Sequence, residues 1–227
     1  MALAQEGGSG VHATLPSKAL LGPGKLALLV AVWAATVAGG LLWTARYKAT
    51  AGTTGTVALA WPAGSALARA TDRSTLLMFV HPRCPCTRAS IRELGELMAH
   101  AAARLKTYVL NLKPRGTPDG FERSDLWASA ARIPGVEVLA DAAGAEAARF
   151  GAETSGHVLL YDRAGRLRFS GGITPARGHE GDGVWRPRLL PLIDGTGEGN
   201  GVVTSPVFGC GLLDDAPRTS AEGAEAP

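Results

Sequence analysis

An uncharged apolar run near the N-terminus constrains this chain most. Residues 26–43 read LALLVAVWAATVAGGLLW and contain no Asp, Glu, Lys or Arg. A helix needs about 20 apolar residues to cross the hydrocarbon core of a bilayer, and this run with its flanks is long enough. Basic residues close the run on both sides, Lys25 before it and Arg46 and Lys48 after it. We therefore expect one N-terminal transmembrane helix over residues 26–45.

A cleaved signal peptide is the alternative, with the Ala-Thr-Ala sequence at residues 49–51 as a weak cleavage site. The apolar segment of a signal peptide is typically only about 7–15 residues long, so the length of this run favours an uncleaved anchor. Lys18 and Lys25 balance Arg46 and Lys48, so the charges do not orient the helix. The orientation follows instead from the cysteine chemistry below, which suits a compartment outside the cytoplasm.

The rest of the 227 residues fits one soluble domain with short extensions. Hydrophobic residues make up 46% and charged residues 19%, which excludes global disorder. The 23 Lys and Arg are scattered and nearly balanced by 20 Asp and Glu, so we expect no nucleic-acid partner. The predicted segments are a cytoplasmic segment (1–25), the anchor (26–45), a tether leading into the domain (46–73), the domain (74–193), an extension with Cys210 (194–213) and a disordered tail (214–227).

Apolar runs and helical repeats alternate along the predicted domain. We predict strands at residues 75–80, 107–112, 136–140, 157–161 and 166–170, and helices at 86–105, 121–133, 142–150 and within 184–193. Asp141 is expected to cap the third of these helices and Gly151 to end it. Asp162 and Gly165 fit a turn between the last two strands. The alternation predicts an α/β fold with a mixed central sheet.

Two cysteines mark the predicted junction between the first strand and the first helix. Cys84 and Cys86 lie in the sequence HPRCPCTR. A thiol at a helix N-terminus meets unpaired backbone N–H groups and the positive end of the helix dipole, which together lower its pKa. We expect His81, Arg83 and Arg88 to support the thiolate with further positive charge.

The spacing of this pair predicts unusual redox chemistry. Three cysteines are too few for a disulfide scaffold, and a disulfide across a single proline closes a tight ring. Departure from the preferred disulfide torsion makes the bond easier to reduce, so we expect a more oxidising couple than an unstrained Cys-x-x-Cys. The alternative, two ordinary buried cysteines, is common in protein cores. A position among arginines at a strand-to-helix junction favours the redox interpretation.

With these motifs, the chain resembles the membrane-anchored thioredoxin-like proteins of the TlpA and ResA type, and the bacterial branch labelled RedB in particular. The resemblance covers residues 74–193 and rests on LLMFVHPRCPCTR, VLADAAGAEAARFGA and HVLLYDRAGRL. It implies a thioredoxin-like fold after one transmembrane helix, no cofactor, and exchange with protein thiols or disulfides outside the cytoplasm. In the family's order of events, Cys84 reacts first and Cys86 resolves the mixed disulfide.

One position departs from the family's pattern. The family places a cis-proline in the loop before the hairpin, opposite the cysteines, where it docks the substrate. In this chain the position is Gly156, which follows Ser155. Glycine adopts unusual backbone angles without imposing them, so we expect Ser155 and Gly156 to form a docking loop that lacks the rigidity of proline.

A Gly-rich segment after the last predicted strand concentrates polar side chains. Residues 171–183 read GGITPARGHEGDG and contain Arg177, His179, Glu180 and Asp182. One interpretation is a lid over the thiol pair, with His179 as a proton carrier or metal ligand. The other is a solvated polar loop.

Cys210, in SPVFGCGL, is an odd cysteine downstream of the domain. It is a resolving thiol that folds back, a partner for another chain, or a buried residue, and the sequence leaves these three open.

Three functions fit these features. The first is a thiol–disulfide oxidoreductase anchored in the bacterial inner membrane, with its domain facing the periplasm or the exterior. The second is a Cu(I)-binding chaperone or sensor, in which Cys84 and Cys86 bind the ion with His179, His157 or Cys210. The third is a non-catalytic interaction module on the same fold. The strand pattern favours His157 as a residue packed in the sheet. Of the three functions, we expect the first, the membrane-anchored thiol–disulfide oxidoreductase.

Overall fold

The computed structural model describes residues 22–181, 183–197 and 201–212, which fall into two compact units divided after Thr44. The predicted cytoplasmic segment up to residue 21, the lid residue Asp182 and the predicted tail at 214–227 lie outside the described residues.

The first helix, α1 (Pro23–Ala49), has 27 residues and no buried side chain. Its length of about 40 Å exceeds the ~30 Å of a hydrocarbon core. Its mean hydropathy of 2.1 over the most apolar window makes it long and apolar enough to span a membrane. It extends past the predicted 26–45 at both ends, because proline is tolerated in the first turn of a helix, where Pro23 lies, and residues 46–49 contain no Gly or Pro.

The second unit is built on a six-stranded sheet in the order β3-β2-β1-β4-β5-β6. The strands are β1 (Ser74–Val80), β2 (Leu105–Lys113), β3 (Val136–Ala142), β4 (His157–Tyr161), β5 (Leu167–Gly171) and β6 (Val203–Thr204). The β1, β2 and β3 strands are parallel, while β4 runs antiparallel to both β1 and β5. The predicted mixed sheet is therefore confirmed. The β6 strand, parallel to β5, was not predicted because two residues carry no readable pattern.

The helices of this unit are α2 (Thr87–Ala101), α3 (Asp125–Ala131), α4 (Ala145–Phe150) and α5 (Arg186–Asp194). Three predicted helices were too long, and the third of them is α4. The helix predicted at 86–105 gives way to a short 3-10 turn, Ala102–Arg104, because β2 already begins at Leu105. The helix predicted at 121–133 is confined to α3, because separate turns occupy the residues before it.

The β1 strand is buried along its whole length and separates two apolar layers. Leu76 and Met78 pack on one face, in a cluster with apolar residues of α2 and α5. Leu77 and Phe79 pack on the other, against Phe150 of α4 and its neighbours. Burial on both faces explains the uninterrupted apolar run in the sequence.

Asp141 caps α4 from within β3. Its carboxylate accepts hydrogen bonds from the backbone N–H groups of Glu146 and Ala147, both at 2.9 Å. The capping role is confirmed, but the helix begins at Ala145 and not at the predicted residue 142, because β3 continues through that position. Gly151 ends α4 at a φ of +75°, as predicted.

Candidate active site

The Cys-Pro-Cys sequence forms a tight turn between the end of β1 and the start of α2. Three hydrogen bonds define it: Cys84 N–H to the carbonyl of His81 (3.0 Å), Thr87 N–H to that of Cys84 (3.3 Å) and Ala89 N–H to that of Cys86 (3.3 Å). In turns of this kind, side chains three positions apart lie on the same side, whereas those two apart diverge. Thr87 therefore shares a side with Cys84.

A chain of hydroxyl groups leads to the sulfur of Cys84. The hydroxyl and the N–H of Thr87 both hydrogen-bond to this sulfur. The hydroxyl oxygens of Thr87 and Ser155 are 2.7 Å apart, and that of Ser155 accepts the N–H of His81 at 2.8 Å. When Cys84 is a thiolate it can only accept, and Thr87 then gives its single hydroxyl proton to Cys84 and takes the proton of Ser155. The relay is thus oriented toward the sulfur.

A C-terminal segment crosses this site. We call residues 205–212 the strap. It pairs with the loop before β4, where the N–H of Ser155 donates to the carbonyl of Cys210 and the N–H of Leu212 donates to that of Glu153, both at 2.8 Å. The main chain of the predicted docking loop is therefore occupied by the protein's own C-terminal segment.

The strap completes the surroundings of Cys84. The N–H of Cys210 donates to the sulfur of Cys84 at 3.4 Å, and the Cys210 thiol also hydrogen-bonds to it. Burial alone would raise the pKa of Cys84, which is only 1% exposed. The hydrogen bonds from Thr87 and Cys210 outweigh burial, so the pKa of Cys84 lies below that of an ordinary thiol.

The two other thiols are shifted the opposite way. Burial, the hydrogen bond to Cys84 and the negative charge on Cys84 raise the pKa of Cys210 to about 12. Burial and the same charge raise the pKa of Cys86. Both side chains are partly exposed. The thiol whose pKa is lowered is therefore buried, and the two thiols whose pKa values are raised are more accessible.

The cation at this site is Arg177, from the predicted lid. Its guanidinium hydrogen-bonds to the thiol of Cys86 and partly opposes the upward pKa shifts of Cys86 and Cys210. It also donates to the backbone carbonyls of Thr50 (3.1 Å) and Gly209. Arg177 thus ties the strap to the Cys-Pro-Cys turn.

The other described lid residues are placed differently. Glu180 forms an ion pair with Arg92 on α2, at 3.1 Å. The backbone of His179 closes a turn onto Ala176. Of the predicted lid, the structure brings Arg177 to the cysteines.

The charges predicted to support the thiolate are engaged elsewhere. Arg88 pairs with Asp125 of α3, and the guanidinium of Arg83 lies 4.5 Å from the centre of the Phe121 ring. The ring of His81 meets the same phenyl ring edge-on. Hydrogen bonds from Thr87 and from the strap, in place of these charges, lower the pKa of Cys84. The signal for Thr87 was present in the sequence, since it follows Cys84 by three residues.

The departure at Gly156 has a local explanation. Gly156 has a φ of +88°, and its N–H donates to the carbonyl of Phe79 at 2.7 Å. A proline has its φ fixed near −65° and has no N–H, so it fits neither condition. The side chain of Ser155 is fully buried in the relay. These residues join the loop to β1 and to the strap.

The candidate metal ligands do not assemble into a recognisable cluster. His157 is buried in the sheet, its Nε2 lies 2.9 Å from the hydroxyl of Ser170, and burial lowers its pKa to about 4. Among residues 22–181, 183–197 and 201–212, no group of three His, Cys, Asp or Glu side chains is arranged to hold a metal ion. His157 therefore belongs to the sheet, as the strand pattern favoured.

An open cavity of about 660 Å³ lies beside the strap. Its lining includes Cys210, Arg177, Glu153 and Thr154. Cys210 therefore borders a space from which another molecule can approach this residue.

Comparison with known proteins finds solved structures of similar fold. No protein-family model matches the chain. No curated protein matches it either. A hypothetical protein from Sinorhizobium meliloti 1021 is 24% identical, with a TM-score of 0.50 over 72% of this chain and 93% of its own. An uncharacterised conserved protein from Geobacillus kaustophilus is 17% identical, with a TM-score of 0.54 over 76% of this chain and 95% of its own.

More distant matches include a secreted disulfide oxidoreductase from Mycobacterium tuberculosis. It is 19% identical, with a TM-score of 0.35 over 42% of this chain and 66% of its own. In this chain, the parallel β1–β2 pair continues through antiparallel β4 and β5 with helices on both faces, which is the thioredoxin arrangement. The fold of the second unit is therefore thioredoxin-like, as predicted.

Proposed function

We propose that this protein is a membrane-anchored thiol–disulfide oxidoreductase whose central sulfur is that of Cys84. The observation that carries the proposal is the set of hydrogen bonds from Thr87 and Cys210 to this sulfur, which stabilise its thiolate. A lower pKa makes more thiolate available at a given pH and makes the sulfur a better leaving group in disulfide exchange. Both properties suit a redox site better than a structural one.

The exchange needs one further protein thiol. The Cys-Pro-Cys turn supplies Cys86, as the sequence predicts, and the strap supplies Cys210 as a second candidate. In the reductive direction, a thiolate of the protein attacks a substrate disulfide, and the second thiol then displaces the substrate from the mixed disulfide. Two electrons and two protons pass from the protein to the substrate. The same bonds exchange in reverse when the substrate is a dithiol.

The proposed location is the bacterial inner membrane, with α1 as the anchor and the thioredoxin-like unit in the periplasm or outside the cell. The length and hydropathy of α1 support the anchor. Disulfides persist in oxidising compartments and are rare in the cytosol, which supports the orientation. The partners would be protein thiols or disulfides in that compartment.

Disulfide exchange by the full chain in detergent tests the proposal. We expect the protein to accelerate insulin reduction by dithiothreitol or oxidation of a dithiol peptide by glutathione disulfide. The Cys84→Ser variant should lose this activity and keep the unfolding temperature of the wild type. Equal activity in the variant, or no activity of the wild type in either direction, would contradict the proposal. Retention of Cu(I) by an inactive reduced protein would favour the metal-binding alternative.

A further inference from the structure

We propose that Cys210 is the redox partner of Cys84, so that the oxidised protein carries a Cys84–Cys210 disulfide and substrate thiols enter at Cys210. This inference rests on the proposed function and identifies the second thiol. It selects one of the three roles that the sequence leaves open for Cys210, in place of Cys86, to which the family resemblance assigns that role.

The strap holds Cys210 against Cys84 by contacts along its whole length. Ser205 donates its N–H to Ser170 and its hydroxyl to the carbonyl of Gly172, at 3.2 and 2.6 Å. Val207 is fully buried, and its carbonyl accepts the N–H of Gly52 at 2.8 Å. The strap is a packed part of the unit, and these contacts fix the position of Cys210 next to Cys84.

Gly209 permits the close approach at this point. A Cβ on Gly209 would lie 1.8 Å from the carbonyl oxygen of Ser155, which no real side chain tolerates. The absence of a side chain lets the strap lie directly on the loop, so that the next residue, Cys210, donates its N–H to the sulfur of Cys84.

The position of Cys86 suits it less well to be the partner. Its thiol hydrogen-bonds to the guanidinium of Arg177 as well as to Cys84. It lies two positions from Cys84 on a helical turn, where side chains diverge. Pro85 between them restricts the backbone, so a ring-closing disulfide would require the turn to open. Such opening would disturb the hydrogen bonds of Thr87 to Cys84.

The accessible sulfur and the good leaving group are different atoms in this arrangement. Cys210 borders the open cavity, whereas Cys84 is almost fully buried. A thiolate that attacks the disulfide at the Cys210 sulfur expels Cys84, whose thiolate is stabilised by Thr87 and by the N–H of Cys210. Entry at Cys210 therefore combines access with the better leaving group.

Oxidation of a substrate dithiol takes two exchange steps. A substrate thiolate attacks Cys210, the Cys84–Cys210 bond breaks, and a mixed disulfide forms between the substrate and Cys210 while Cys84 leaves as a thiolate. The second substrate thiol, on losing its proton, attacks the substrate sulfur of this mixed disulfide and releases Cys210, which takes a proton. The substrate dithiol becomes a disulfide, and the protein gains two electrons. A disulfide of the glutathione class restores the oxidised protein.

Tryptic mapping of the full chain oxidised with glutathione disulfide distinguishes the two partners. Trypsin releases Cys84 and Cys86 together in the peptide CPCTR (residues 84–88), and Cys210 in a separate peptide (residues 189–218). A Cys84–Cys210 disulfide joins these peptides until a reductant is added. A Cys84–Cys86 disulfide instead leaves CPCTR unlinked and lighter by two hydrogens.

We expect the linked pair in the wild type and in Cys86→Ser. A closed loop within CPCTR, with exchange activity retained, would overturn the inference and leave the proposed function standing. Absence of any reversible disulfide on Cys84 would overturn both.

The Cys84→Ser variant tests the entry point. Without Cys84, the glutathione adduct on the entry thiol cannot be resolved by its partner, so we expect it to accumulate on the 189–218 peptide at Cys210. The Cys210→Ser variant is the matched control, in which this adduct is impossible. Accumulation of the adduct on Cys86 in place of Cys210 would overturn the assignment of the entry point.

Discussion

At the scale of single residues, a hydrogen-bond relay controls Cys84. His81 N–H, Ser155 and Thr87 pass hydrogen bonds in one direction toward the sulfur, and Cys210 N–H meets it from the strap. The sequence predicts that nearby arginines stabilise the thiolate, but in the structure these arginines contact other side chains. Charged residues are conspicuous in a sequence, whereas a neutral hydroxyl is informative only once the turn that positions it is known.

The Thr87→Val substitution tests the relay. It removes a hydroxyl donor to a charged acceptor while keeping the shape of the side chain, so the pKa of Cys84 should rise. The ratio of thiolate to thiol at a given pH should fall roughly tenfold. Titration of the thiolate absorbance in the ultraviolet measures this ratio. Thr107→Val is the matched control, since Thr107 is equally buried but bonds to Met98. An unchanged titration in Thr87→Val would contradict the relay.

The buried imidazole of His157 predicts a pH dependence of stability. Burial lowers its pKa to about 4, below the 6.5 of an unfolded chain. Between these values the unfolded state binds more protons than the folded state, so stability should fall as the pH falls from 6.5 to 4. The loss from this residue amounts to about 3 kcal/mol at the lower end.

Urea unfolding across this pH range measures the effect. His157→Gln should remove this part of the pH dependence, whereas His100→Gln, at an exposed position on α2, should keep it. Parallel pH profiles for the wild type and His157→Gln would show that the imidazole is not the group responsible.

At the scale of elements, local patterns predicted most of the sheet. The β1 and β4 strands lie within one residue of their predicted bounds, because continuous apolar runs end at clear turn residues. The α3 helix is shorter than predicted, since turns at residues 118–123 occupy its expected first turn. The β6 strand is held by its pairing with β5, and the sequence of a two-residue strand is too short to predict such a pairing.

The cap on α4 gives a prediction at this scale. Asp141 is buried and accepts two backbone N–H groups, so Asp141→Ala should destabilise the protein by about 1–2 kcal/mol. Asp141→Asn keeps one acceptor oxygen and should lose less. Chemical denaturation of the wild type and the two variants measures the order of their free energies of unfolding. Equal stability of Asp141→Ala and the wild type would show that the cap is not needed.

At the scale of the whole molecule, the site depends on contacts between distant parts of the chain. The strap brings Cys210 to Cys84 across 126 positions, and no local pattern indicates this approach. The sequence identified an odd cysteine and left three roles open. The Cys-Pro-Cys turn and its place at the end of β1 were predictable, because both depend on neighbouring residues.

The anchor is also tested on the whole molecule. An arginine near the centre of a membrane helix costs about 2.5–3.5 kcal/mol on insertion, so Val37→Arg should shift the protein from the carbonate-resistant membrane fraction toward the soluble fraction. The same substitution at Val184, an exposed position in the second unit, is the control and should not change the distribution. Full retention of Val37→Arg in the membrane would argue against α1 as a span.

The most direct test of the central claim is a glutathione redox titration of the full chain, with thiol alkylation and mass mapping at each ratio. The proposed function predicts one reversible two-electron couple that includes Cys84, with its midpoint on the oxidising side because the reduced form is stabilised. A Cys84 thiol that remains free of any protein disulfide at every ratio would contradict the claim.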